Sequence, residues 1–263
     1  MPRMTALFVG HGSPLNAILD TPYTRSLRDL SLRLPRPEAV CVVSAHWQTA
    51  GTRVSCQGRL GQIHDFYGFP RELYEIQYAP PGHTALARRA VAALGGDAEG
   101  VSCDDSWGHD HAGWTVLMHL FPQADMPTFF ISMDMAAPPA RHAELGARLA
   151  PLRDEGVLVL GSGNGVHNLA AADLGDMDAE PDPRGVRFDA HVRDALLAGD
   201  LDALVDFSRW GPDAVYSVPT LDHYLPLLWV AALREAGEPV TFPCETFQNR
   251  SVSMRSVLVG ALG

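Results

Sequence analysis

Residues Ala6-Leu7-Phe8-Val9-Gly10-His11-Gly12-Ser13-Pro14 decide the fold. The four apolar residues read as a short buried strand. A histidine between two glycines follows. Ser13-Pro14 then has the form of a helix N-cap with a first-turn proline. The same order recurs twice. Ala39-Val40-Cys41-Val42-Val43 leads to His46 just beyond the strand end, and Val157-Leu158-Val159-Leu160 leads through Gly161-Ser162-Gly163-Asn164-Gly165 to His167. Helix-like segments lie between these runs. Alternating signals of this kind predict an α/β fold, one domain over residues 1–263 with a mostly parallel central sheet flanked by helices. In such a sheet the carboxyl ends of the strands share one edge, and ligands bind in the crevice there.

Outward from these runs, one helical stretch is expected from Ser13 towards Leu34, before Pro35. Further helices are expected at Thr84–Leu94, from near Thr115, at Pro139–Arg153 with Gly156 as its C′ residue, and at Phe188–Ala198. Further strands are expected at Pro127–Asp134 and Val240–Phe242. Gly61–Pro81 and Ser106–Trp114 read as loops rich in Gly, Pro and aromatic residues.

The chain has 263 residues, 46% of them hydrophobic and 19% charged, which suits one well-buried core and not a disordered chain. Its net charge of −11 comes without a basic cluster, so nucleic acid and anionic membranes are not expected as partners. No apolar run is long enough to span a bilayer, and the N-terminus lacks the pattern of a secretory signal. A cytoplasmic protein is the expectation, with an oligomer compatible with the chain. The four cysteines form no C-x-x-C pair, which argues against a zinc knuckle or thioredoxin motif. Cys41 reads as a buried reduced thiol.

His11, His46, His167 and His223, the last in the proline-bounded Asp222-His223-Tyr224, together suggest a metal centre. Imidazole is the commonest transition-metal ligand and also an acid or base near neutral pH. Each alone could equally be a turn histidine or a satisfied core residue. His109 and His111 would share one side of an extended segment, with one of them near the site. His64 beside Asp65 is a candidate for substrate contact. Ser13 is another, although capping explains it more simply. His83, His119, His142 and His191 read as packing or surface residues. H-E-x-x-H, G-x-S-x-G and Walker A motifs are absent, and the turn after Leu160 is not G-x-G-x-x-G because Val166 stands at its last position.

Taken together, Gly10-His11-Gly12-Ser13-Pro14, Ser44-Ala45-His46-Trp47, Ile63-His64-Asp65-Phe66, Asp110-His111-Ala112-Gly113-Trp114, Val166-His167-Asn168-Leu169 and Pro219–Leu228 resemble the class III extradiol ring-cleavage dioxygenases, in the 4,5-DOPA dioxygenase-like branch. The likeness runs in order through nearly the whole chain. It implies an α/β fold with one mononuclear divalent metal, and opening of a catechol-type ring with O₂ beside its two hydroxyls. It implies His11 and His46 as metal ligands with His223 completing the site, His167 as acid/base and His111 as a substrate contact. Better-known relatives use two histidines and a carboxylate. Three neutral imidazoles would suit Zn(II) as well as Fe(II). A zinc-dependent hydrolase and a non-catalytic metal-binding protein are therefore the alternatives. As a base, His167 is expected to lose function when protonated as pH falls through the histidine range.

Overall fold

Apolar runs buried on both faces need cover on both sides, and here helices supply it. The computed structural model describes residues 3–262. Its strands are β1 (Ala6–Gly10), β2 (Ala39–Thr49), β3 (Thr52–Ser55), β4 (Val101–Asp104), β5 (Thr128–Asp134), β6 (Val157–Gly163), β7 (Val240–Cys244), β8 (Phe247–Gln248), β9 (Val252–Ser253) and β10 (Ser256–Val259). Eight form one sheet in the order β4-β3-β5-β2-β6-β1-β10-β7, and β8 pairs with β9 in a small hairpin. The central pairs β1–β6, β6–β2 and β2–β5 are parallel. Antiparallel pairing enters at the flanks, between β3 and β5, β1 and β10, and β10 and β7.

Alternation along the central strands feeds two cores. Ala6 and Phe8, Ala39, Cys41 and Val43, and Val157 and Val159 face the layer that holds Phe188, Leu227 and Trp229. Leu7 and Val9, Val40 and Val42, and Leu158 and Leu160 face the layer that holds Leu27, Leu30 and Trp114. Helices Pro139–Arg148, Pro183–Ala198 and Leu225–Ala231 lie on the first side; Pro22–Ser31 and His111–Leu120 lie on the second.

Several boundaries differ from expectation. The stretch from Ser13 to Leu34 is two elements. Ser13 caps only a short turn, Pro14–Ala17, and a new helix starts at Pro22 under a Thr21–Thr24 capping box. The helix expected from near Thr115 begins at His111, capped by Asp110, whose side chain accepts from Gly113 N–H. The Phe188 helix begins at Pro183, behind an Asp182 cap. The Pro139 helix divides at Leu149 into Pro139–Arg148 and Ala150–Asp154, and Gly156 follows at φ +82°. Strands β3, β4 and β10 have four residues each, too short for a periodic signal; their identity comes from pairing.

That pairing also explains a disulfide. Cys103 lies in β4, and Cys56 follows β3, its parallel neighbour; the two are bonded across 47 residues. A reducing compartment gave no reason to expect this bond, since disulfides persist in oxidising surroundings. Cys41 and Cys244 are free and buried.

Two glycines of β6 let another segment lie directly on the sheet. A Cβ at Gly161 would stand 2.5 Å from Pro226 O, and one at Gly163 would overlap the carbonyl of His223. Gly163→Ala is therefore expected to push the Leu221–Pro226 segment off the sheet and to cost about 1–3 kcal/mol of stability, as overpacking does. Gly165→Ala, where an added Cβ meets nothing within 4 Å, should change stability by no more than about 0.5 kcal/mol. Urea melts of the two variants check the contrast; equal midpoints would show that the close approach carries no weight.

Candidate metal centre

His11 continues the β1 ladder one residue past the strand, its N–H donating to Gly163 O at 3.0 Å. The flanking glycines are required by crowding and by backbone. A Cβ at Gly10 would stand 2.6 Å from Ser253 O, and Gly12 has φ +59° against Met254. His11 Nδ1 lies 3.0 Å from Ser162 Oγ, whose own proton goes to Ala112 O at 2.6 Å. The hydroxyl therefore accepts from Nδ1–H, and His11 Nε2 keeps its lone pair.

His46 sits inside β2, not beyond its end. From Val43 to Gln48 the strand advances five residues while β5 advances two, from Ile131 to Met133. The extra residues form a bulge that re-aims side chains at the sheet edge. Within it, His46 Nδ1 lies 3.1 Å from Asp65 Oδ2, and Nε2 lies 3.2 Å from His11 Nε2. His223 is held by its carbonyl, which accepts from Asn164 N–H at 2.8 Å, and by its Nδ1, 2.7 Å from Asp222 Oδ2.

All three rings thus have Nδ1 beside an oxygen acceptor. The His11, His46 and His223 centroids are 5.2 Å apart in every pairing, and one ligand atom from each lies within 4.8 Å of the others. Two imidazole lone pairs 3.2 Å apart repel unless a cation lies between them. Metal–nitrogen bonds of about 2.0–2.1 Å put neighbouring ligand nitrogens roughly 3 Å apart, so this donor set fits one divalent ion. A second trio, His46, Asp65 and His111, is also close. Its spacing is accounted for by two imidazole nitrogens at hydrogen-bond distance from one carboxylate oxygen.

Burial, then the neighbouring histidines, hold His11 well below the ordinary imidazole value. Burial also lowers His223, against the pull of Asp222. For His46 burial pushes the same way, but the Asp65 contact and the charges of Asp110, Asp65 and Asp222 outweigh it, and the net shift is upward.

His167 stacks on His223 with centroids 3.6 Å apart and planes 10° apart, and its backbone N–H donates to Ser217 O. Burial, then His223, pushes it down to about 2. Burial thus keeps His167 uncharged beside the other rings. His111 occupies the first turn of its helix, its ring 4.0 Å from His46 and 5.5 Å from His11. His109 turns away, fully buried against Phe130. His64 lies among Phe66, Tyr74 and Trp114, with Phe66 between it and His111, so it does not join the cluster. Ser13 Oγ accepts from Leu15 N–H as a cap. Asp65, Asp222 and Ser162 each face a ring nitrogen; adjacency to His223 in sequence could have signalled Asp222, while Asp65 faces His46 and His111 and not its neighbour His64. A cavity of about 400 Å³ between Leu196, Leu204, Ala232 and Val259 contains none of these histidines.

The chain is similar to several known proteins. Residues 7–259 match the family described as the catalytic LigB subunit of aromatic ring-opening dioxygenase. An Escherichia coli (strain K12) protein named 4,5-DOPA dioxygenase extradiol is 44% identical over 98% of this chain and 95% of its own. A Beta vulgaris protein of the same name is 34% identical over 88% of this chain and 86% of its own. The crystal structure of an uncharacterized Escherichia coli K12 protein superposes with a TM-score of 0.85 at 39% identity, covering 98% of this chain and 100% of that one.

His11→Ala, His46→Ala and His223→Ala are each expected to abolish stoichiometric binding of a divalent metal; a variant retaining one tight ion per chain would remove that residue from the ligand set. Because His46 sits above the ordinary 6.5, a proton competes with the metal there first. Affinity should fall by about tenfold per pH unit as pH drops below the His46 value, a titration checked by Zn(II) competition across neutral pH.

Proposed function

This chain belongs to the aromatic ring-opening dioxygenase family of the catalytic LigB subunit, and from that premise we propose that it opens the ring of a catechol-type substrate with O₂ by extradiol cleavage. The observation that carries the reading is the convergence of three imidazoles whose Nδ1 atoms are all taken, with a fourth, neutral ring stacked beside them. The relatives named 4,5-DOPA dioxygenase extradiol, and a Hapsidospora irregularis protein named Dioxygenase tasH at 31% identity, support a small aromatic diol as partner. Residues 1–263 are taken as one catalytic domain. No helix among the described residues is long and apolar enough to cross a membrane. The cytoplasm is the proposed location, where the Cys56–Cys103 bond would be unusual.

His11, His46 and His223 would hold the metal, Fe(II) for ring cleavage. Bound there, a divalent metal supplies Lewis acidity towards the diol and the redox chemistry that O₂ requires. His167, desolvated and neutral, accepts a proton from one substrate hydroxyl. Its stacking on His223 keeps that acceptor at the edge of the metal pocket. His111 faces the same space from the helix start. Trp47 and Trp107 stack at 5.4 Å with parallel planes, and Trp107 Nε1 donates to Asp110, the residue before His111.

A zinc hydrolase is the second reading, favoured by one observation: the set has three histidines, and Asp222 is occupied with His223 Nδ1. Three neutral ligands with one open position suit a zinc-activated water. The reconstituted protein separates the two. Fe(II)-dependent O₂ uptake with a catechol panel, giving a yellow ring-opened product, supports cleavage. Hydrolysis without O₂ by the Zn(II) form supports the alternative.

His167→Gln is expected to keep its metal and to bind catechol, but to turn over about 10²–10⁴-fold more slowly, as for loss of a placed general base. Metal content, catechol binding and single-turnover rate are the measurements. Loss of the metal from this variant at neutral pH would make His167 a fourth ligand.

A further inference from the structure

Asp65 comes from the Gly61–Pro81 loop, yet its carboxylate touches two of the site's histidines. Its Oδ2 lies 3.1 Å from His46 Nδ1 and 2.9 Å from His111 Nδ1. Its Oδ1 accepts the backbone N–H of His111 at 2.8 Å. That N–H belongs to the first turn of a helix, where it has no partner within the helix. The loop is itself fixed. Ile63 N–H donates to His109 O, Trp114 Nε1 donates to Ile63 O at 3.0 Å, and Tyr78 N–H donates to Gln62 Oε1 at 2.8 Å. The carboxylate therefore has a set position, independent of the strand that carries His46.

An ionised carboxylate only accepts, so its charge at 2.9–3.1 Å favours a proton over a lone pair on each Nδ1; the His111 Nδ1–Oδ2 contact is close but not aligned as a formed hydrogen bond. A neutral imidazole has one N–H, and placing it at Nδ1 leaves Nε2 as an acceptor. Resting on the reading of His11, His46 and His223 as metal ligands, we propose that Asp65 is a positioning residue that sets two histidines through one oxygen. It holds His46 with Nε2 turned to the metal, and it holds His111 with Nε2 as a hydrogen-bond acceptor for a substrate hydroxyl. His111, beside His46, and His167, beside His223, then offer two acceptors, one for each hydroxyl proton of a diol. This pair of acceptors suits the catechol-type substrate of the proposed function. A substrate with one hydroxyl replaced by a methoxy group leaves one acceptor unmatched.

Proton placement can be read directly. In long-range ¹H–¹⁵N spectra of the Zn(II)-loaded protein in mildly alkaline buffer, His46 and His111 should both appear as Nδ1–H tautomers, with assignments made from His46→Gln and His111→Ala. Either ring found as Nε2–H overturns the proposal. Asp65→Asn, whose amide offers a donor as well as an acceptor, should move at least one ring to the other tautomer. It should also weaken Zn(II) binding by about 10–100-fold, the usual cost of losing a partner behind a metal-bound histidine. Unchanged tautomers and unchanged affinity in that variant overturn the proposal. If Asp65→Asn does not fold, the His111 tautomer in the wild-type spectrum decides alone, because zinc at Nε2 would itself fix His46 as Nδ1–H. None of these readouts requires turnover, so a protein that shows the expected tautomers but cleaves no catechol refutes the dioxygenase reading and leaves this one standing.

Discussion

Each of the three imidazoles at the sheet edge has its Nδ1 against an oxygen: Ser162 for His11, Asp65 for His46, Asp222 for His223. This constraint governs the site, because an imidazole cannot both donate at Nδ1 and carry a proton at Nε2 while neutral. The inward nitrogens are then bare, and bare lone pairs at about 3 Å are tolerated only with a cation between them. Ring orientation, ligand basicity and metal affinity all follow from groups that never touch the metal.

The oxygens can do this only because the backbone brings them close. Parallel register of β1, β6 and β2 puts Gly10 beside Gly163 and Ser44 beside Ser162, so three strand ends share one edge. Gly161 and Gly163 then let the Leu221–Pro226 segment lie on β6 without side chains between, which delivers His223. The bulge in β2 delivers His46. These are local departures from regular strand geometry in an otherwise regular sheet.

Charge is balanced outside the ligand set. Three histidines leave a divalent ion with its full charge. Asp65 and Asp222 stand one ring away, held well below the usual carboxylate range by their histidine contacts despite burial. A divalent ion held by the three histidines would be offset by these carboxylates, which face ring Nδ1 atoms and not the inward nitrogens. Burial keeps His167 neutral, so it adds no positive charge beside the three clustered imidazoles.

The sequence by itself determined the α/β class, the central strands and His11 at the end of the first, since buried runs such as Ala6–Val9 and Val157–Leu160 announce strands, and glycine-flanked His11 announces a strand-end turn; that His46 lies within a longer β2 came from the structure. The ordered motifs from Gly10 to Leu228 supplied the family likeness, which the full-length matches bear out. Tertiary structure alone decided three things. The first is the antiparallel flanks, because four-residue strands such as β3 and β10 have no periodicity and exist through their partners. The second is the separation of His109 from His111, which the family likeness had singled out: Asp110 caps a helix between them, leaving His111 beside His46 and His109 against Phe130. The third is the role of Asp65, 19 positions from His46 and 46 from His111. Hydrogen bonds between distant segments leave no pattern in a single chain; they are set by where the fold brings a loop to rest.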